Sequence, residues 1–215
     1  MIVAFQPRPN EQRITLSGIP WPAYVAFCDG IGDRYIRMTY DRGELEIMSV
    51  SAKHEREKSR LRRLVETVTD ELEMDMENGG SMTCRNEEML RALEPDECFW
   101  IQHAAKVSTL DEIDLDKDPP PDLAHEIEIS RSALDRMSIY AALKIPEVWR
   151  WDGHTLTVHL LGSRGAYRVS RRSKAFPFLP IDELEAFLNR TNVGGSRFTK
   201  AVRAWVRENR TAWKK

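Results

Sequence analysis

Long apolar runs are missing from this chain of 215 residues. With a mean hydropathy of −0.50, no stretch approaches the roughly 18 residues that a membrane span needs, and no membrane partner is expected. Met1–Asn10 has no apolar segment behind a basic start, so no secretory signal is expected. Cysteine is scarce. Cys28, Cys84 and Cys98 are odd in number and share no CxxC spacing, which argues against a disulfide scaffold or a zinc ribbon and for a reducing, cytoplasmic setting. The familiar signatures of nucleophilic and nucleotide-binding sites are lacking: no GxSxG, no P-loop, no GxGxxG and no HExxH. Internal repeats, low-complexity segments and a convincing linker are absent too. A strong net charge is also missing, since 32 Lys/Arg stand against 34 Asp/Glu.

What is present is an uneven charge distribution. Gly162–Lys215 carries 13 Lys/Arg against four Asp/Glu, whereas Glu87–Glu128 carries 13 acidic residues against three basic ones. An acidic centre beside a basic C-terminal part suits a metal site next to a polyanion-binding surface, although solvated faces of both signs give the same count.

The hydrophobic pattern predicts one domain built on a central mixed sheet. Residues 1–12, with Pro7 and Pro9, read as a loose arm. A short helix is expected from Trp21 through Phe27. Tyr35–Tyr40 and Glu44–Met48 form a hairpin around Asp41-Arg42-Gly43. Ser51 opens a long helix whose apolar stripe is Leu61, Leu64, Val65, Val68, Leu72 and Met76, closed by Asn78-Gly79-Gly80. Strands are expected at Ser81–Arg85 and Cys98–Gln102, then an acidic loop at Asp111–Asp118. Leu123–Ile129 follows as a strand, with Leu123, His125, Ile127 and Ile129 on one face and Ala124, Glu126 and Glu128 on the other. A helix over Ala133–Leu143, strands at Glu147–Trp151, Leu156–Leu161 and Tyr167–Val169, and helices at Ile181–Asn189 and Ser196–Glu208 complete the chain.

The carboxylates carry the chemical signal. Glu126 and Glu128 on one face of a central strand would repel each other and lose water, a cost that a cation relieves. Hard oxygen donors select Mg2+ or Mn2+. Asp96 and Glu46 are placed to complete an acidic cluster. The bland alternative is that Glu128 simply faces solvent on an edge strand. The histidines read as packed or surface residues rather than ligands.

Four segments then resemble a known family. Pro121-Asp122-Leu123-Ala124-His125-Glu126-Ile127-Glu128, followed by Leu134-Asp135-Arg136 and Tyr140–Trp149, is similar to the signature of the Uma family of the PD-(D/E)xK nuclease superfamily. Arg42–Ser49 with His54-Glu55 resembles the family's hairpin and helix start, and Glu94–Ile101 resembles its first acidic strand. The resemblance implies a restriction-endonuclease-like α/β fold, a central mixed sheet flanked by helices, over residues 15–190. An arm at 1–14 and a basic helix at 191–215, packed on the same domain, would flank it. It also implies a DNA endonuclease site in which Asp96 and Glu126 hold Mg2+ or Mn2+, with Glu46 as an auxiliary ligand. Asp122 is either a further ligand or a cap.

One departure is notable. The lysine of the ExK half-motif is replaced by Glu128, and the cation expected on the following helix is Arg136. Either Glu128 is an extra ligand with Arg136 clamping the phosphate, or catalysis has been lost. The rival readings are therefore a metal-dependent DNA endonuclease, a non-catalytic nucleic-acid-binding or regulatory module, and a structural oligomer. A homodimer would suit double-strand cleavage. Basic residues of the long helix (Arg56, Lys58, Arg60, Arg62, Arg63) and of the tail (Arg203, Arg207, Arg210, Lys214, Lys215) fit phosphate contacts, and fit an ordinary solvated helix face equally well.

Overall fold

The computed structural model describes residues 11–31 and 36–213. Pro7, Pro9, Tyr35, Lys214 and Lys215 lie outside the described residues. Turn chemistry starts the fold. Arg42 (φ 47°) and Gly43 (φ 99°) both take the left-handed conformation, as a two-residue hairpin turn between right-twisted strands requires. They join β2 (Ile36–Asp41) to β3 (Glu44–Ser49) with Asp41 opposite Glu44. β1 (Gln12–Leu16) adds to the free edge of β3. Residue 12, expected in a loose arm, is therefore already in a strand. β6 (Arg91–Leu93) and β5 (Cys84–Asn86) continue on the other side of β2. The result is an antiparallel sheet of order β1-β3-β2-β6-β5, covered by α1 (Trp21–Ile31) through Trp21, Tyr24 and Tyr40.

A second sheet contains β4 (Glu77–Gly80), β7 (Glu97–Trp100), β8 (Leu123–Ile127), β9 (Glu147–Trp151), β10 (Leu156–Leu161) and β11 (Tyr167–Ser170), in the order β11-β10-β9-β8-β7-β4. The β8–β9 pair is parallel and the others are antiparallel. A parallel pair needs a crossover, here supplied by α4 (Arg136–Ala142). The sheet is therefore mixed, as expected, but the strands divide between two sheets instead of forming one. Every residue of β8 is buried, the mark of a strand covered on both faces.

One covering layer is α2 (Ala52–Leu72), backed by α5 (Ile181–Leu188) and α6 (Gly195–Trp213). Leu61, Leu64, Val65 and Val68 meet Phe99, Leu123, Ile127 and Trp149 there. The other face packs Ala124 and Val148 against Ile139 and Tyr140 of α4. Full burial of each such side chain stabilises by about 1.5–3 kcal/mol.

Several expected boundaries move. Ser51 caps α2 by accepting from the His54 N–H at 3.1 Å. The helix stops at Leu72, because Glu73 turns left-handed and its N–H bonds back to Thr69 and Asp70. Met76 is thus not part of the helical stripe, and Asn78-Gly79-Gly80 lies in β4 instead of closing the helix. A Cβ on Gly79 would meet the Trp100 ring at 2.7 Å and Cys98 Sγ at 2.8 Å, so that glycine serves close strand packing. β6 was not expected from the pattern. The strand predicted over Leu123–Ile129 ends at Ile127, and the helix predicted from Ala133 begins at Arg136 after an Asp135 cap. The short α3 (Ala104–Val107) precedes the acidic loop. Among the described residues no helix is long and apolar enough to cross a membrane.

Candidate active site

The parallel crossover fixes the site. Leaving β8, the chain turns through Ser130–Asp135 into α4, and the space beneath this turn is a cleft of about 310 Å3. Glu126 and Glu128 form part of its wall. Four arginines do too: Arg13 from β1, Arg131 from the turn, Arg136 from α4 and Arg150 from β9.

Glu126 is buried and saturated. Arg136 places Nε 2.6 Å from Oε1 and donates from Nη2 to Oε2 at 2.9 Å, and the Tyr140 hydroxyl donates to Oε2 as well. Arg136 also donates to the Glu94 carbonyl at 3.0 Å and to Thr39 Oγ1 on β2. Burial pushes the Glu126 carboxyl above the usual range. Arg136 opposes that shift and the like charge of Asp96 adds to it. Burial and the adjacent Glu126 hold the Tyr140 hydroxyl well above a normal phenol.

Asp96 is the neighbouring acid. Its N–H donates to the His125 carbonyl, and its Oδ2 accepts the Ile127 N–H at 2.7 Å. Its Oδ1 lies 2.6 Å from His54 Nε2, and the other ring nitrogen of His54 lies 2.6 Å from Glu11 Oε1. Burial works against a charged imidazole, but Asp96 and Glu11 outweigh it and raise His54 to about 10, so both ring nitrogens donate. Burial also opposes ionisation of Asp96. The His54 cation, the Ile127 N–H and Arg136 nevertheless keep its carboxyl below the ordinary range.

The other expected ligands stand differently. Glu46 is buried and accepts from Arg13 Nη1 (2.6 Å), Ser132 Oγ (2.8 Å) and the Ala133 N–H (2.7 Å). It fixes the turn that roofs the cleft. Asp122 sits at the opposite end of β8 from Glu126, accepting from the Ile101 and His103 N–H groups and pairing with the His103 ring. Glu128 lies past the end of the strand and pairs with Arg150. It is not on the buried segment expected of it, since its side chain is 32% exposed. Among the described residues no group of three or more His, Cys, Asp or Glu side chains could hold a metal ion.

The basic residues expected to face DNA mostly have internal partners. Arg60 donates to the carbonyls of Leu188, Arg190 and Val193. Lys58 and Arg62 approach Glu97, and Arg203 and Arg207 hold Glu71. None of them lines the cleft.

A family model described as "putative restriction endonuclease" matches residues 21–188, which include Asp96, Glu126 and Arg136 together with β7, β8 and α4. The chain belongs to the Uma2 family. The resemblance read from the sequence named this family, and the mixed α/β architecture is consistent with a restriction-endonuclease-like fold. No curated protein matches the chain. Within this Uma2 chain, reasoning from sequence missed His54, Glu11 and Arg150. No local signal marks His54, because its partners Glu11 and Asp96 lie 43 and 42 residues away in the chain.

Proposed function

We propose that this chain hydrolyses phosphodiester bonds in DNA, with Asp96 and Glu126 as the acids that hold Mg2+ or Mn2+. The reading is carried by one juxtaposition: two buried carboxylates, Asp96 and Glu126, close enough that the charge of Asp96 raises the Glu126 carboxyl, with Glu126 in the wall of a cleft lined by four arginines. Arginine matches phosphate oxygens in pairs. Mg2+ usually keeps several waters and takes one or two carboxylates together with substrate phosphates, so the pair fits the ion in type and number. When bound, such an ion neutralises phosphate charge and supplies an activated water. Arg136 holds its proton at any working pH, so its part is to stabilise phosphate charge and not to act as a base. His54 and the Ile127 N–H orient Asp96, and Tyr140 orients Glu126. Glu46 shapes the roof, Asp122 organises the far end of the strand, and Glu128 works at the mouth, so none of these three is needed as a ligand.

A second reading has its own observation. Each oxygen of Asp96 and Glu126 already has a partner in the protein, which suits a Uma2 chain that binds nucleic acid without cutting it. Supercoiled plasmid separates the two. Nicking by wild type that requires Mg2+ or Mn2+, disappears with EDTA and falls to background in Glu126→Ala is the expected result. Retained DNA binding with no nicking under any divalent ion would overturn hydrolysis and leave the binding module.

A further inference from the structure

The Glu128–Arg150 pair stands apart from the other ion pairs of the cleft. The parallel register sets Glu126 opposite Arg150, and Glu128 donates its N–H to the Trp151 carbonyl. Glu128 and Arg150 therefore flank the mouth of the cleft, one at the end of β8 and one on β9. Their side chains are 32% and 30% exposed, against 12% for each partner of the Arg136–Glu126 pair deeper in. Arg136 has further bonds to Thr39 and Glu94 that lock it in place. Arg150 has Glu128 as its ion-pair partner, with no comparable set of additional acceptors among the described residues. His159 on β10 stands close enough to feel both charges. Burial and the Arg150 cation hold it below its ordinary value, so at neutral pH Arg150 is the cation of that corner.

We propose that Glu128 is an acidic gate on Arg150: the carboxylate occupies the guanidinium until a backbone phosphate of the nucleic acid displaces it, and Arg150 is then a phosphate-contacting residue of the cleft mouth. This rests on the DNA-directed reading above and adds to it the residue pair that sets affinity for the backbone. The pair is only half-buried and partly screened by solvent, so it adds little stability and little is lost when a phosphate replaces the carboxylate. Arginine binds phosphate and carboxylate with the same planar fork, so the geometry that serves Glu128 also serves a phosphate. Until it swings away, Glu128 repels the incoming polyanion, which makes binding weaker than the arginine content of the cleft implies.

The test is a double-mutant cycle on binding of a labelled 20-base-pair duplex, followed by fluorescence anisotropy in EDTA over a series of salt concentrations. Wild type is compared with Glu128→Gln, Arg150→Ala and the double variant, each checked for an unchanged thermal melt. Glu128→Gln is expected to tighten binding roughly three- to tenfold. Arg150→Ala is expected to weaken it by a similar factor and to reduce the slope of log K against log salt by about 0.9, the contribution of one phosphate contact. In the double variant the gain from Glu128→Gln vanishes. Tightening that survives in the Arg150→Ala background shows a general charge effect and overturns the gate, as does an Arg150→Ala protein with wild-type affinity and slope. In either case the DNA-directed reading stands, because wild type still binds DNA. If none of the four proteins binds DNA, both the gate and the DNA-directed reading fall.

Discussion

Glu126 and His125 are adjacent in sequence and opposite in environment, because alternation along a doubly covered strand sends them to different faces. His125 packs between Phe99 and Trp149, with ring centroids 4.9 and 5.4 Å away, and neither of its buried nitrogens has a hydrogen-bond partner among the described residues. Burial pushes it down to about 3. An unfolded histidine titrates near 6.5, so between those values the unfolded chain binds a proton that the folded chain refuses. Stability is therefore lost as pH falls from about 6.5 towards 3, by about 2 kcal/mol already at pH 5. His125→Phe removes the titration and two orphaned nitrogens. Urea unfolding at pH 7.5 and pH 5 should show wild type losing about 2 kcal/mol more than the variant, and equal losses would dismiss the argument. The apolar placement of His125 was legible from alternation alone. The charged state of His54 was not, because it depends on Glu11 and Asp96, which are 43 and 42 residues away in the chain.

At the scale of elements, α2 shows what pattern reveals and what it hides. Its stripe from Leu61 to Leu72 and its Ser51 cap follow from spacing and residue type, and both are present. Its end does not, because Met76 continues the apolar spacing and Gly79-Gly80 resembles a helix stop. Glu73 adopts the left-handed turn instead, and Gly79 serves the approach of β4 to Trp100. β6 is three residues long, too short for alternation to register. Two substitutions report on this element and its exit. Ser51→Ala leaves the His54 N–H without its acceptor and should cost about 1 kcal/mol. Gly79→Ala forces a methyl against the Trp100 ring and Cys98 sulfur and should cost about 1–3 kcal/mol. Equilibrium denaturation measures both. A Gly79→Ala protein as stable as wild type would mean that the β4–β7 approach has slack the structure does not show.

At the scale of the whole molecule, the candidate site joins the two sheets. Arg136 binds Glu126 on β8, the Glu94 carbonyl and Thr39 on β2, while Arg13 of β1 holds Glu46 of β3 and the Ser130 carbonyl of the turn. A reading that expects one sheet cannot anticipate this, since nothing local in β1–β3 marks them as a separate layer. It follows that the charges of the site contribute to the fold as well as to the proposed chemistry. Removing one partner of a buried ion pair strands the other, at a cost of about 3–5 kcal/mol. Arg136→Ala should destabilise by that order at pH 8, where the stranded Glu126 loses its cation partner and has least access to a proton. Burial already raises the Glu126 carboxyl, and without Arg136 it rises further, so the stranded acid takes up a proton as pH falls and the deficit narrows towards pH 5.5. The double variant Arg136→Met with Glu126→Gln removes both charges and should recover most of the loss at pH 8 while remaining inactive on plasmid. Urea unfolding of the wild type and three variants at the two pH values tests the coupling. Costs that simply add in the double variant, or an Arg136→Ala deficit independent of pH, would show that Arg136 and Glu126 do not stabilise the fold as a pair.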